Sequence, residues 1–99
     1  MEYVYPAIFF PDDDCVGVYF YDAENWLTFG RTFREAIANA EDVLAFALWS
    51  AEQDNDKIPP ATPLKNIQLK ENQSVMMIRA STKNYAAKNI SVDEKSAAF

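Results

Sequence analysis

The chain has 99 residues, of which 49% are hydrophobic and 24% charged, and a net charge of −6. That length fits one domain, and the balance of apolar and charged residues excludes a wholly disordered, collagen-like or low-complexity chain. With no histidine and a single cysteine, a Ser-His-Asp triad, a Cys-His pair, a histidine metal ligand, a zinc cluster of thiolates and an internal disulfide are all excluded.

Residues 2 to 10 (Glu-Tyr-Val-Tyr-Pro-Ala-Ile-Phe-Phe) are aromatic and β-branched types suited to a pleated surface, and they predict a first strand that stops at Pro11. Pro6 has no amide proton, so this strand has to be unpaired or bulged on one side near its middle. Asp12, Asp13 and Asp14 predict a turn, residues 16 to 21 a second strand, Asp22 to Asn25 another turn and Trp26 to Phe29 a third strand. Loops this short join antiparallel neighbours, which gives a meander.

Gly30-Arg31 then breaks the strand, and Thr32-Phe33-Arg34-Glu35 fits a capping box. In that motif the threonine hydroxyl accepts from the Glu35 amide while the Glu35 carboxylate returns to the Thr32 amide. A helix is expected from Phe33 to about Gln53, because Phe33, Ala36, Ile37, Ala40, Val43, Leu44, Ala47 and Leu48 recur at spacings of three and four. Phe46 and Trp49 break this amphipathicity: at 100° per residue they fall about 220° and 160° from Phe33, opposite the stripe. Either a later segment folds over them or they form an aromatic patch at an interface.

Asp54 to Pro63, with three prolines, predicts an extended connector. Asn66 to Lys70 reads as a minor strand and Gln73 to Ala80 as a fourth main strand. Its apolar run suggests burial on both faces, with Met76 and Met77 filling the core. A helical turn over residues 83 to 88 and a short β-like segment from Asn89 to Val92 complete the reading. The fold class expected is α+β, a β-β-β-α-β order in which a three-stranded antiparallel meander is joined by one packed helix and a fourth strand. No apolar run spans a membrane and the first residues lack a basic signal region, which points to a soluble, cytoplasmic protein.

Charge is unevenly spread. Residues 1 to 63 hold twelve acids against three bases, a balance of −9, and residues 64 to 99 carry +3. The acidic part repels nucleic acid and attracts a basic partner.

Particular residues narrow the order of elements. Tyr5-Pro6-Ala7-Ile8-Phe9, the acidic turn, Gly17 to Phe20 and the stretch from Phe20 to Ala36 together resemble HicB-type antitoxins. The familiar form of that stretch is F-P-D-L-P-G-C-x-T-x-G-D-T-x-E-E-A, and Phe20, Asp22, Thr28, Gly30, Thr32, Glu35 and Ala36 match it in place. The resemblance covers roughly residues 3 to 88. Tyr21, Glu24, Asn25 and Trp26 replace the usual proline-glycine loop, while Arg31 and Arg34 replace acidic residues near the helix start.

The resemblance implies a degenerate, partial ribonuclease H-like fold without nuclease activity, an antitoxin that binds and occludes a small basic HicA-type mRNA-cleaving toxin. It divides the chain into an antitoxin domain, residues 1–82, and an extension, residues 83–99. The extension looks like the opening of a ribbon-helix-helix module for autorepression at operator DNA, a module whose two helices this length cannot complete. A homo-oligomer is expected, and no cofactor, metal or catalytic residue is assigned.

Candidate partner-binding residues are Asp12, Asp13 and Asp14, which a basic protein would meet, and Phe46 and Trp49, the aromatics opposite the stripe. DNA-binding residues are not identified. Asp22 and Glu24 sit in a turn where exposure is the default, and Cys15 follows three carboxylates whose field disfavours a reactive thiolate. The competing reading is a metal-dependent ribonuclease H-like nuclease, which would need the carboxylates to converge on divalent cations.

Overall fold

A computed structural model describes residues 1–91, with residues 89–91 described by their backbone alone. Three strands come first: β1 (Glu2–Asp12), β2 (Cys15–Phe20) and β3 (Ala23–Gly30). Helix α1 (Phe33–Asp54) follows, then a connector with one 3-10 turn at Leu64–Asn66, strand β4 (Ser74–Ser81), the short helix α2 (Thr82–Tyr85) and a π-helical turn at Ala86–Ser91. The strands form one antiparallel sheet in the order β3-β2-β1-β4, in which β1 is flanked on both sides.

Period-two alternation gives β1 two apolar faces. Tyr5, Ala7 and Phe9 join Val18, Phe20, Ile78 and Ala80 in a core against Ala36, Ala40, Leu44 and Leu48 of α1. Each large aliphatic side chain sealed there contributes about 1.5–3 kcal/mol. Of the expected helix stripe, Phe33 is the exception: it stands at the exposed helix start with its ring 4.9 Å from that of Phe9. The other face of β1 carries Pro6 and Ile8, and Ile8 is only 1% exposed.

The connector crosses from the helix side of the sheet toward that face. It leaves the C-terminal end of α1, where Asn55 is left-handed and the Asp56 amide donates to the Ala51 carbonyl at 2.9 Å, a Schellman stop. The Tyr5 hydroxyl then donates to the Pro59 carbonyl on the helix side. Asp22, in the β2–β3 turn, accepts from both the Thr62 amide (2.9 Å) and the Thr62 hydroxyl. Further on, Gln73 donates to the hydroxyl of Tyr19, a residue that faces away from α1. Since β4 begins opposite Phe9, the connector rounds the β2–β3 end of the sheet and runs along its outer face.

The structure corrects several expectations. Strand β1 continues through Pro11 and Asp12, so the turn is only Asp13 and Asp14. The next turn is Tyr21 and Asp22, and β3 begins at Ala23 with an irregularity in its pairing to β2. Pro6 lies in the central strand: its carbonyl accepts from the Tyr21 amide, so its nitrogen faces β2, where the ladder ends at Ala7 and Phe20. Residues 66–70 form no strand. Strand β4 is an edge strand rather than one buried on both faces, and Met76 and Met77 are 36% and 39% exposed rather than core. Asn89 to Ser91 belong to the π-helical turn instead of a β-like segment, and Val92 onward lies outside the described residues. Among the described residues no helix is long and apolar enough to cross a membrane.

Candidate partner interface

The acidic hairpin is fixed by its backbone. Asp12 pairs with Cys15 across a two-residue turn, and Asp13 adopts the left-handed conformation (φ 55) that aspartate tolerates better than most residues. All three aspartates are exposed. Among the described residues, no three Cys, Asp or Glu side chains stand where they could share a metal ion.

Phe46 and Trp49 lie elsewhere. Helix α1 starts beside Phe9, at the hairpin end, and its last turns reach Tyr3 at the other end of β1. At about 1.5 Å per residue, Phe46 and Trp49 lie about 20 Å and 24 Å along the axis from Phe33 at the hairpin end. The two halves of the expected site are therefore not brought together. Phe46 is 54% exposed and Trp49 half-buried, and the ring of Tyr85 in α2 meets both, at 6.2 Å and 5.6 Å between centroids. The segment after β4 thus folds over part of this helix face.

A polar clamp holds that segment down. The Glu52 carboxylate accepts from the Tyr3 hydroxyl at 2.6 Å and from the Thr82 hydroxyl at 3.1 Å, and the terminal amine of Met1 donates to Thr82 at 3.1 Å. Thr82 is buried, and its amide donates to the Met1 carbonyl. The hydrogen bond to Glu52, with burial adding to it, pushes the Tyr3 phenol up to about 12. The same bond holds the Glu52 carboxyl below its ordinary value.

On the outer face of the sheet, where the connector ends, lies a groove of about 490 Å³. Phe10, Tyr19, Leu27 and Phe29 supply its apolar lining, with Asp12, Glu24 and Lys70 among its polar residues. Leu27 and Phe29 were not singled out from the sequence. The signal was there, since apolar residues at 26, 27 and 29 occupy both faces of one strand, and only one of those faces can meet α1.

The architecture matches solved structures from toxin–antitoxin systems. A toxin–antitoxin complex from Streptococcus pneumoniae contains a chain with TM-score 0.77 and 20% identity, covering 86% of this chain and 73% of that one. The N-terminal domain of the Burkholderia pseudomallei antitoxin HicB follows at TM-score 0.68 and 15% identity, covering 77% and 95%. The fold is that of a HicB N-terminal domain. A HicA3–HicB3 toxin–antitoxin complex also matches, at TM-score 0.64 and 21% identity, covering 80% and 99%. No family model matches the sequence, and no curated protein is found as a relative.

The HicB fold explains part of the sequence resemblance physically. A Cβ on Gly30 would run into the backbone nitrogen of Ala36, so at these two matched residues the end of β3 and the start of α1 lie too close for any side chain between them. Glu35 accepts from the Arg31 amide at 3.0 Å rather than from Thr32, while its own amide donates to the Thr32 hydroxyl at 3.1 Å. The cap therefore forms with the return bond one residue earlier than the motif predicts. Asp22, another matched residue, is the tether for the connector.

Proposed function

We propose that the chain is a non-enzymatic antitoxin whose partner is a small basic HicA-type toxin that cleaves mRNA. The observation that carries this reading is the fold, shared over most of the chain with components of toxin–antitoxin complexes and with an antitoxin domain. The charge distribution supports it: a surface with twelve acids against three bases over residues 1–63 attracts a basic partner and speeds encounter. Inhibition works by occlusion, the antitoxin covering the toxin's RNA-binding face so that substrate is excluded.

In this reading Asp12, Asp13 and Asp14 meet toxin cations, while Phe46 and Trp49 belong to a self-association face beside α2, which makes the working form a homo-oligomer. Residues 1–82 act as the antitoxin domain. Repression at operator DNA requires a complete DNA-binding module following it.

The test is rescue. A small basic protein encoded by the adjoining reading frame is expressed from an inducible promoter, with and without this chain, and growth and mRNA decay are followed. Restored growth and intact mRNA are expected. Toxicity unchanged by co-expression, or RNA cleavage by the purified chain itself in Mg²⁺ or Mn²⁺, overturns the reading.

A further inference from the structure

The groove on the outer sheet face has the anatomy of a docking site rather than of residual surface. Leu27 and Phe29 are 61% and 60% exposed and project from the same face of β3. Beside them the rings of Phe10 and Tyr19 stand 6.0 Å apart. A Cβ on Gly17 would come within 2.5 Å of the Phe10 ring, so that ring lies directly on the β2 backbone and floors the groove. The opposite wall is a turn held in place: Gln73 accepts from the Lys70 amide at 2.8 Å and donates to the Tyr19 hydroxyl at 3.4 Å. Walls fixed before binding lower the ordering cost that association must overcome.

The polar lining selects the occupant. Asp12 and Glu24 line the groove, Asp13 and Asp14 continue the negative border along the hairpin, and among the described residues Lys70 is the one cation in the lining. Apolar anchors with a charged border are the arrangement of a protein interface. That border repels nucleic acid, and a second copy would bring the same acidic border to meet it.

We propose that this groove docks a basic protein, which seats an apolar side chain among Phe10, Tyr19, Leu27 and Phe29 and sets Lys or Arg beside Asp12 and Glu24. Naming that protein as the toxin rests on the antitoxin reading above. Binding of the purified toxin from the adjoining reading frame is measured by calorimetry and by stopped-flow at several salt concentrations. L27S/F29S is expected to weaken binding at least about tenfold with the melting temperature unchanged, since both side chains are exposed. D12K/E24K is expected to slow association and flatten its salt dependence. Leu64→Ser, at an exposed apolar residue outside the groove, is expected to bind like wild type.

Should L27S/F29S lose its circular dichroism, D12K/E24K, which removes no apolar residue, decides the question. Wild-type affinity in the groove variants overturns the docking site and leaves the antitoxin reading standing. Failure of the wild-type chain to bind the toxin overturns both, and growth rescue then fails as well.

Discussion

A methyl group on Gly30 would sit against the Ala36 backbone, and neither partner can move without shifting strand or helix. Gly30→Ala is therefore expected to destabilise the fold by about 1–3 kcal/mol, as overpacking does, measured as a fall in the urea midpoint at constant slope. The Tyr3–Glu52 bond has a pH signature in both directions. With the Glu52 pKa lowered on folding, the unfolded chain takes up that proton first, so the contribution is whole above the ordinary carboxylate pKa and is lost as pH falls through the folded value. The Tyr3 pKa is raised from 10.0 to about 12, so its share holds below pH 10 and is lost as pH rises from there toward about 12. Tyr3→Phe is expected to cost about 1 kcal/mol at neutral pH for this partly solvated bond. Urea unfolding from pH 3 to 12 checks it, the mutant's deficit shrinking toward both ends. These pairings were not legible in the sequence, because Tyr3, Glu52 and Thr82 share no motif and meet only through the fold.

Helix α1 was legible because three local signals agree: the Thr32 cap, the stripe at spacings of three and four, and the loss of apolar periodicity after Gln53. Strand β4 was read correctly as a strand and wrongly as a buried one. An unbroken apolar run marks burial on both faces only when both faces are covered, and in β4 Ile78 and Ala80 reach the core while Met77 and Arg79 on the other face are exposed. The strand sealed on both faces is β1, where Tyr5 to Phe9 are buried in succession. At Trp49 the sequence left two outcomes open, and the Tyr85 contact now gives that residue a structural role. Trp49→Ala is expected to loosen α2 from α1, seen as faster amide exchange at Thr82 to Tyr85 with the sheet core still protected. At the self-association face proposed above, the same change is expected to raise the dimer dissociation constant about tenfold or more in analytical ultracentrifugation.

At the scale of the molecule the net charge of −6 sets what the chain meets. Binding to any duplex by this chain is expected to be no tighter than about micromolar at 150 mM salt, checked by fluorescence anisotropy on labelled DNA. The overall architecture was legible through the match between Phe20 and Ala36, whereas the groove was not, since it is assembled from strands β1 to β3 and a connector with no periodic signal. That connector also dictates a schedule. The meander and α1 are built from neighbours in sequence, but β4 pairs with the first residues of the chain, Ser81 against Glu2, and can do so only after the connector has rounded the sheet. Long-range closure of this kind carries the entropic cost late in folding. Substitutions at Ile78 should accordingly speed unfolding and scarcely touch the folding rate, a low φ-value, while those at Leu44 slow folding. On the ribosome, the strand that finishes the sheet is among the last parts of the described chain to emerge, so the outer face stays uncovered until synthesis has passed it.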